Sequence, residues 1–244
     1  MEAAPGLKSL YQEPASPPED TEPPALELID VFKIFRSGPT ETVALRGLDL
    51  TVAPREMVAV AGPSGSGKST MLSIAAAMDV PSAGDVRIDG RSLARLEEAE
   101  LAHLRGKEIA VVFQSDNLWP TLTARETVAA CTKLADLDRS PSEAADEALA
   151  IFGLEGRGGH TPDELSGGEQ QRVAIAAAAA RRPRIVLADE PTGELDAENE
   201  SIVLDRLRML RDTYQSAVVV ITHSPTVAAA CDRVVELADG RAVR

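Results

Sequence analysis

From Leu26 onward the chain is built of short apolar segments whose spacing predicts their structure. Leu26–Phe35 and Leu48–Val52 alternate apolar with polar positions. Because strand side chains point to opposite faces in turn, this pattern predicts half-buried antiparallel strands. Met57–Ala61, Ile109–Phe113, Ile185–Ala188 and Val218–Thr222 are unbroken apolar runs, dense in β-branched residues, as expected of strands buried on both faces. Helical stretches separate them, including one over Ser69–Ala77 directly after a glycine-rich loop. The expected fold is therefore α/β, with a mostly parallel sheet covered on both sides and an antiparallel β subdomain at its N-terminal end.

Between Ser115 and Arg182 the pattern turns helical. Ser140-Pro141-Ser142-Glu143 has capping-box spacing with proline at the first helical position, and predicts a helix running toward Phe152. Gly153–Gly159 interrupts the pattern. Ser166-Gly167-Gly168-Glu169 repeats the capping-box spacing and opens an alanine-rich helix that ends near Pro183. Residues from about 115 to 182 thus read as a helical subdomain inserted into the α/β core, within one domain spanning 26–244. Residues 1–25 differ in kind: they hold six of the sixteen prolines and five acids against one base, the composition of a disordered tail.

Composition narrows the setting. The chain has 244 residues, 44% of them apolar, enough to build a sizeable core. A net charge of −14 argues against gripping a nucleic-acid backbone or docking on anionic lipid. Two cysteines, Cys131 and Cys231, lack metal-ligand spacing and read as free thiols of an intracellular chain. The opening is acidic and proline-rich instead of basic then apolar, so no secretory leader is expected. The longest apolar runs, such as Val173–Ala180, fall far short of the roughly 20 residues a spanning helix needs. If the chain serves a membrane process, another chain does the spanning.

The chemistry concentrates in three places. Gly62-Pro63-Ser64-Gly65-Ser66-Gly67-Lys68-Ser69-Thr70 is a phosphate-binding loop. Its small residues let backbone N–H groups converge on phosphates at a helix N-terminus, Lys68 reaches the β- and γ-phosphates, and the Ser69 hydroxyl can coordinate Mg²⁺. Asp189 ends an apolar strand, where a carboxylate holding Mg²⁺ is expected, and Glu190 follows it directly. On an extended backbone these two carboxylates face different sides, one toward the metal and the other toward an attacking water. Ser166-Gly167-Gly168-Glu169, backed by Gln170, Gln171 and Arg172, is a glycine-rich helix start that offers N–H groups and a hydroxyl to an anion.

Taken together these motifs resemble the ATP-binding subunits of ABC transporters, from about Leu26 to the C-terminus. The resemblance implies a phosphate-loop NTPase core, ATP and Mg²⁺ as ligands, and a homodimer in which Ser166, Gly167, Gly168 and Glu169 contact the nucleotide held by the other copy. It implies that Gln114 lies in a loop touching Mg²⁺ and the attacking water, and that His223 contacts the γ-phosphate. Asp196 matches the loop that carries signals across the dimer. Phe35, beside Val43, falls where an aromatic stacks on adenine, with a core phenylalanine as the competing reading.

Finer matches, among them Val112-Phe113-Gln114, Asn117-Leu118 and Ala188-Asp189-Glu190-Pro191-Thr192-Gly193, look like the bacterial macrolide-efflux, lipoprotein-release and peptide-resistance branch. That branch implies an ATPase on the inner face of the cell membrane that drives a separate permease, for export or for mechanical work across the bilayer. A cell-division-like regulatory ATPase that transports nothing is the alternative. The permease contact is expected at Ser115–Thr121 around Trp119, which is either an exposed anchor or buried in the helical subdomain. Arg55, Thr127, Ala177 and Glu194 depart from the branch pattern. None of them removes a phosphate, metal or water contact, but Ala177 and Glu194 bear on dimer coupling.

Overall fold

The computed structural model describes residues 22–38, 40–135, 138–193 and 195–243. Most of the expected tail, residues 1–21, and the departure at Glu194 lie outside the described residues. Two sheets organise the rest. The smaller is antiparallel, with strand order β2-β1-β4-β5, built from β1 (Leu26–Ser37), β2 (Thr40–Val52), β4 (Ala83–Ile88) and β5 (Arg91–Ser92). The larger has the order β10-β9-β3-β8-β7-β6, from β3 (Met57–Ala61), β6 (Ile109–Val112), β7 (Ile185–Asp189), β8 (Ala217–Ile221), β9 (Arg233–Ala238) and β10 (Arg241–Val243). Its strands run parallel except the edge strand β10.

The apolar runs of the sequence explain why this sheet sits in the middle. Successive strand residues face opposite ways, and here both faces are covered. Val58 and Val60, Ile185 and Leu187, and Val219 and Ile221 join a core shared with the small sheet and with α1 (Lys68–Ala75). Their alternates Met57, Val186, Ala188, Val218 and Val220 join a second core. That second core is closed by α3 (Ala124–Leu134), α4 (Pro141–Ile151), α5 (Gly167–Ala180) and α6 (Ala197–Tyr214). α2 (Glu98–Lys107) and α7 (Pro225–Ala229) complete the helices.

Both segments with capping-box spacing start helices, the Ser140 one through its forward bond and the Ser166 one through the full reciprocal pair. Ser140 accepts from the Glu143 N–H at the head of α4, with Pro141 at the first helical position. Ser166 and Glu169 bond reciprocally at the head of α5. The Ser166 box satisfies two backbone donors that a helix start otherwise leaves open. Helices α3, α4 and α5 pack on one another beside β6. Among the described residues no helix is long and apolar enough to cross a membrane.

Candidate active site

The C-terminal ends of β3, β7 and β8 converge with the head of α1 on a cleft of about 800 Å³. In open parallel sheets this is the edge where ligands bind, because helix N-termini and strand-end loops meet there. Val43, Ser64, Gly65, Gly67, Lys68, Ser69 and Thr70 line it on one side, and Gln114, Asp189, Glu190, Thr192, Glu200 and His223 on the other.

The phosphate loop is held from behind by backbone bonds. The Gly240 N–H donates to the Ser66 carbonyl at 3.0 Å, and the Arg46 N–H donates to the Gly240 carbonyl at 2.8 Å. Two glycines are required by this close packing. A Cβ on Gly62 would lie 2.1 Å from the Leu237 carbonyl oxygen. One on Gly67, which has φ +104°, would lie 2.6 Å from that of Ala44. Neither Gly62 nor Ser66 lines the cleft; Ser66 is buried, with its hydroxyl unpaired. Lys68 is buried too, and its ammonium donates to the carbonyls of Gly62 (2.8 Å) and Pro63 (2.9 Å). That arrangement keeps a cation under the loop, its hydrogen bonds spent on backbone oxygens and its charge felt by Asp189.

Across the cleft, the Ser69 hydroxyl bonds the Asp189 carboxylate. Burial pushes the Asp189 carboxyl above the usual carboxylate range, opposed by the nearby Lys68 charge and the Ser69 bond. Glu190 departs from the extended geometry expected of it. Its φ is +45°, a left-handed conformation rare for a residue with a side chain, so it turns into the same cleft as Asp189. The Glu190 N–H still continues the sheet by donating to the Ile221 carbonyl at 2.9 Å, and the Gly193 N–H closes the turn onto the Glu190 carbonyl at 3.0 Å.

The Glu190 carboxylate meets His223 through both its oxygens. Oε1 is buried without a hydrogen bond and stands 3.3 Å from the imidazole Nε2, while Oε2 accepts from the His223 N–H at 3.2 Å. Gln114 lines both this cleft and a smaller polar cavity of about 140 Å³ beside it. The two cavities share Gly193 and Leu195 as well.

The remaining motif residues lie elsewhere. Ser166, Gly168 and Glu169 line neither cavity, and Gly167 lines only the smaller one. Ser166 and Gly167 are exposed, while Gly168 is buried against α6, where a Cβ would lie 2.6 Å from Asn199 Oδ1. The same oxygen accepts from Arg172 at 2.8 Å, and Asn199 donates to Asp196 Oδ1 through its backbone and its amide (2.8 and 2.9 Å). Asp196 and the Ser166 helix are therefore tied together within one copy. Phe35 is 44% exposed, which excludes the core reading. It pairs across β1 and β2 with the cleft residue Thr42, and the Lys33 ammonium sits 5.1 Å from its ring centre. Trp119 is half exposed, so it is not buried in the helical subdomain.

From sequence, Thr192 and Ser224 stand inside or beside quoted motifs without a role of their own, and Asn199 and Glu200 are not singled out. The first two adjoin motif residues and were findable by proximity, whereas Asn199 and Glu200 carry no motif of their own.

A phosphate loop on α1, a carboxylate pair at the end of β7 and a histidine after β8 together define a phosphate-loop nucleoside triphosphatase. A family model described as "ABC transporter" matches residues 45–193. The chain is 43% identical to the lipoprotein-releasing system ATP-binding protein LolD of Geobacter metallireducens, over 89% of this chain and 97% of that protein. It is 42% identical to the macrolide export ATP-binding/permease protein MacB of an Azoarcus species, over 90% of this chain but 34% of that protein. Among solved structures it superposes on the ATP-binding cassette MJ0796, described as a dimer in a post-hydrolysis state bound to ADP and Pi. The TM-score is 0.83 with 38% identity, over 90% of this chain and 97% of that one. The chain belongs to the ABC transporter family, as an ATP-hydrolysing cassette.

Proposed function

We propose that the chain works as a homodimer with two composite sites, each holding ATP between the Lys68 loop of one copy and the Ser166 loop of the other. The observation that carries this reading is that Ser166 and Gly167 are exposed and absent from the cleft of their own copy, although their helix start is built for an anion. The dimeric description of MJ0796 supports it.

Within each site, Lys68 and the N–H groups of Ser64, Gly65 and Gly67–Thr70 bind the β- and γ-phosphates, with Gly62 and Ser66 shaping the loop from behind. Phe35 and Val43 lie toward the adenine, where the exposed Phe35 ring stacks on the base. The Glu190 carboxylate accepts a proton from water as the water oxygen attacks the γ-phosphorus. The bond from that phosphorus to the β–γ bridging oxygen breaks, and ADP and phosphate leave. His223 holds Glu190 in place and faces the γ-phosphate, and Gln114 orients the water. Ser69, Asp189 and Gln114 would hold a Mg²⁺ ion, since the desolvated Asp189 carboxylate gains from a cation; bound there, it would neutralise phosphate charge. Closure follows ATP binding, because the phosphate charge is fully neutralised only when both copies meet.

Among the described residues no helix is long and apolar enough to cross a membrane, and likeness to LolD over 97% of that protein's length supports assigning the membrane work to a separate permease. We place the contact at Ser115–Thr121, where Trp119 stands half exposed, with the cassette peripheral on the cytoplasmic face. Likeness to LolD and MacB supports a partner of the lipoprotein-release or macrolide-export type.

The test of the permease assignment is capture of the Glu190→Gln protein with ATP and Mg²⁺ from detergent-solubilised native membranes. Recovery of a membrane protein that Trp119→Ala loses is expected. Recovery of soluble partners alone would overturn the assignment.

A further inference from the structure

The cleft holds a third carboxylate for which the reaction as described has no use. Glu200 lies in the first turn of α6, where its N–H makes the first helical bond to the Asp196 carbonyl at 2.8 Å, and its side chain lines the cleft with Asp189 and Glu190. A carboxylate facing a triphosphate is electrostatically unfavourable, so its presence there needs a compensating role. Its bonds indicate one. Oε2 accepts two hydroxyl donors, Thr192 Oγ1 at 3.4 Å and Ser224 Oγ at 3.3 Å. Thr192 lies two residues after Glu190, in the turn that keeps Glu190 left-handed. Ser224 directly follows His223 and caps α7 by accepting from the Val227 N–H. One oxygen of Glu200 thus joins the turn that carries Glu190 to the turn that carries His223.

We infer that Glu200 is a positioning residue for hydrolysis, setting the Glu190–His223 contact by anchoring both flanking turns. This rests on the assignment of Glu190 as the base. The left-handed Glu190 is an unfavourable conformation that persists only where its surroundings hold it, and the Thr192 hydroxyl bond is one of those restraints. Loss of the anchor lets the turns separate, and a displacement of about 1 Å at a reacting group can cost on the order of 100-fold in rate.

Steady-state ATPase assays on the purified full-length chain, with Mg²⁺ and varied ATP, test this with Glu200→Ala and Glu200→Gln. A glutamine keeps an oxygen that can accept the two hydroxyls but loses the charge. Glu200→Ala is expected to lower kcat by about 10-fold or more, with KM for ATP within about twofold of the wild type, and Glu200→Gln to restore most of the rate. Should Glu200→Ala prove unstable in a melting assay, Thr192→Val removes one donor isosterically and is expected to lower kcat in the same direction. Wild-type kcat in both Glu200→Ala and Thr192→Val overturns the proposal. So does a raised KM at unchanged kcat, which would mean direct contact with nucleotide, or equal loss in Glu200→Gln, which would mean a role for the charge. Glu190→Gln assayed in parallel separates the two assignments: normal turnover there defeats the base, while slow turnover there beside a normal Glu200→Ala defeats only the anchor.

Discussion

His223 Nε2 stands 3.3 Å from Glu190 Oε1, and the backbone N–H of the same histidine donates to the other Glu190 oxygen at 3.2 Å. Two elements 33 residues apart in sequence thereby hold one carboxylate, at the end of β7 and facing the phosphate loop. A carboxylate bonded at Oε2 by the His223 N–H, with Oε1 beside the imidazole and without a hydrogen bond, is oriented before substrate arrives, as a general base must be.

Glu190→Gln is accordingly expected to retain ATP binding and to hydrolyse at least about 100-fold more slowly, the scale lost with a positioned base. A nucleotide-binding titration beside single-turnover hydrolysis reads both quantities. Near-normal turnover would remove Glu190 from its role.

Lys68→Ala is expected to weaken ATP binding by about 100-fold, the loss of a charge-assisted hydrogen bond to phosphate worth up to about 3 kcal/mol. Fluorescent-nucleotide displacement measures it. Unchanged affinity would show that the ammonium, now bonded to the Gly62 and Pro63 carbonyls, does not turn to the ligand.

Asp189→Asn gives a prediction with a pH sign. Burial raises the Asp189 carboxyl, so ionising it costs the folded state more than the unfolded one. The asparagine variant should therefore melt higher than the wild type at pH 7 without nucleotide. The gain should fade as pH falls through the folded value toward the unfolded one near ~3.9. Melting curves at several pH values decide it, and a variant that melts lower at pH 7 contradicts the burial argument.

Gly168→Ala tests the tie between Asp196 and the Ser166 helix. The added methyl meets Asn199 Oδ1, whose Arg172 bond must then shift. ATP binding by a single copy should persist while ATP-dependent dimerisation weakens, a difference visible by sedimentation. Equal loss of both would point to general misfolding instead.

The cysteines offer a chemical check. Cys231 is pushed up to about 11, first by burial and then by the Asp232 charge, and burial raises Cys131 as well. Reaction with a thiol reagent at pH 8 should be slow in the native protein and fast once unfolded, because the thiolate is the reactive form. Rapid native labelling of Cys231 would contradict its environment.

How much of this was legible depended on how local the signal was. Ser166 and Glu169 are three residues apart and declare a helix start by spacing alone, and the glycine loop before Lys68 is equally local. The buried strands were readable because a sheet covered on both faces demands continuous apolar runs, as in Val218–Ile221. α2 was not, since Leu104 is its single buried residue and its capping box at Glu97 and Glu100 uses acids with no apolar stripe behind it. The hairpin of β9 and β10 was missed for a related reason: residues such as Arg233, Glu236 and Arg241 stand exposed near the sheet edge and break the apolar pattern. The left-handed turn at Glu190 had no signal either, because a non-glycine residue gives no warning of positive φ. Glu200 and Asn199 were invisible because their partners are distant in sequence or lie on other elements.

The composite site is tested most directly by mixing two defective copies. Lys68→Ala disables the phosphate loop but leaves the Ser166 loop intact. Gly167→Asp does the reverse, placing a negative charge where the partner's phosphate would lie, at a position where a Cβ meets nothing within 4 Å. Each variant alone should fail to form ATP-dependent dimers and to hydrolyse ATP. If each site joins two copies, the mixture assembles one intact site per mixed dimer and recovers both. A mixture as inactive and as monomeric as its components would contradict the account.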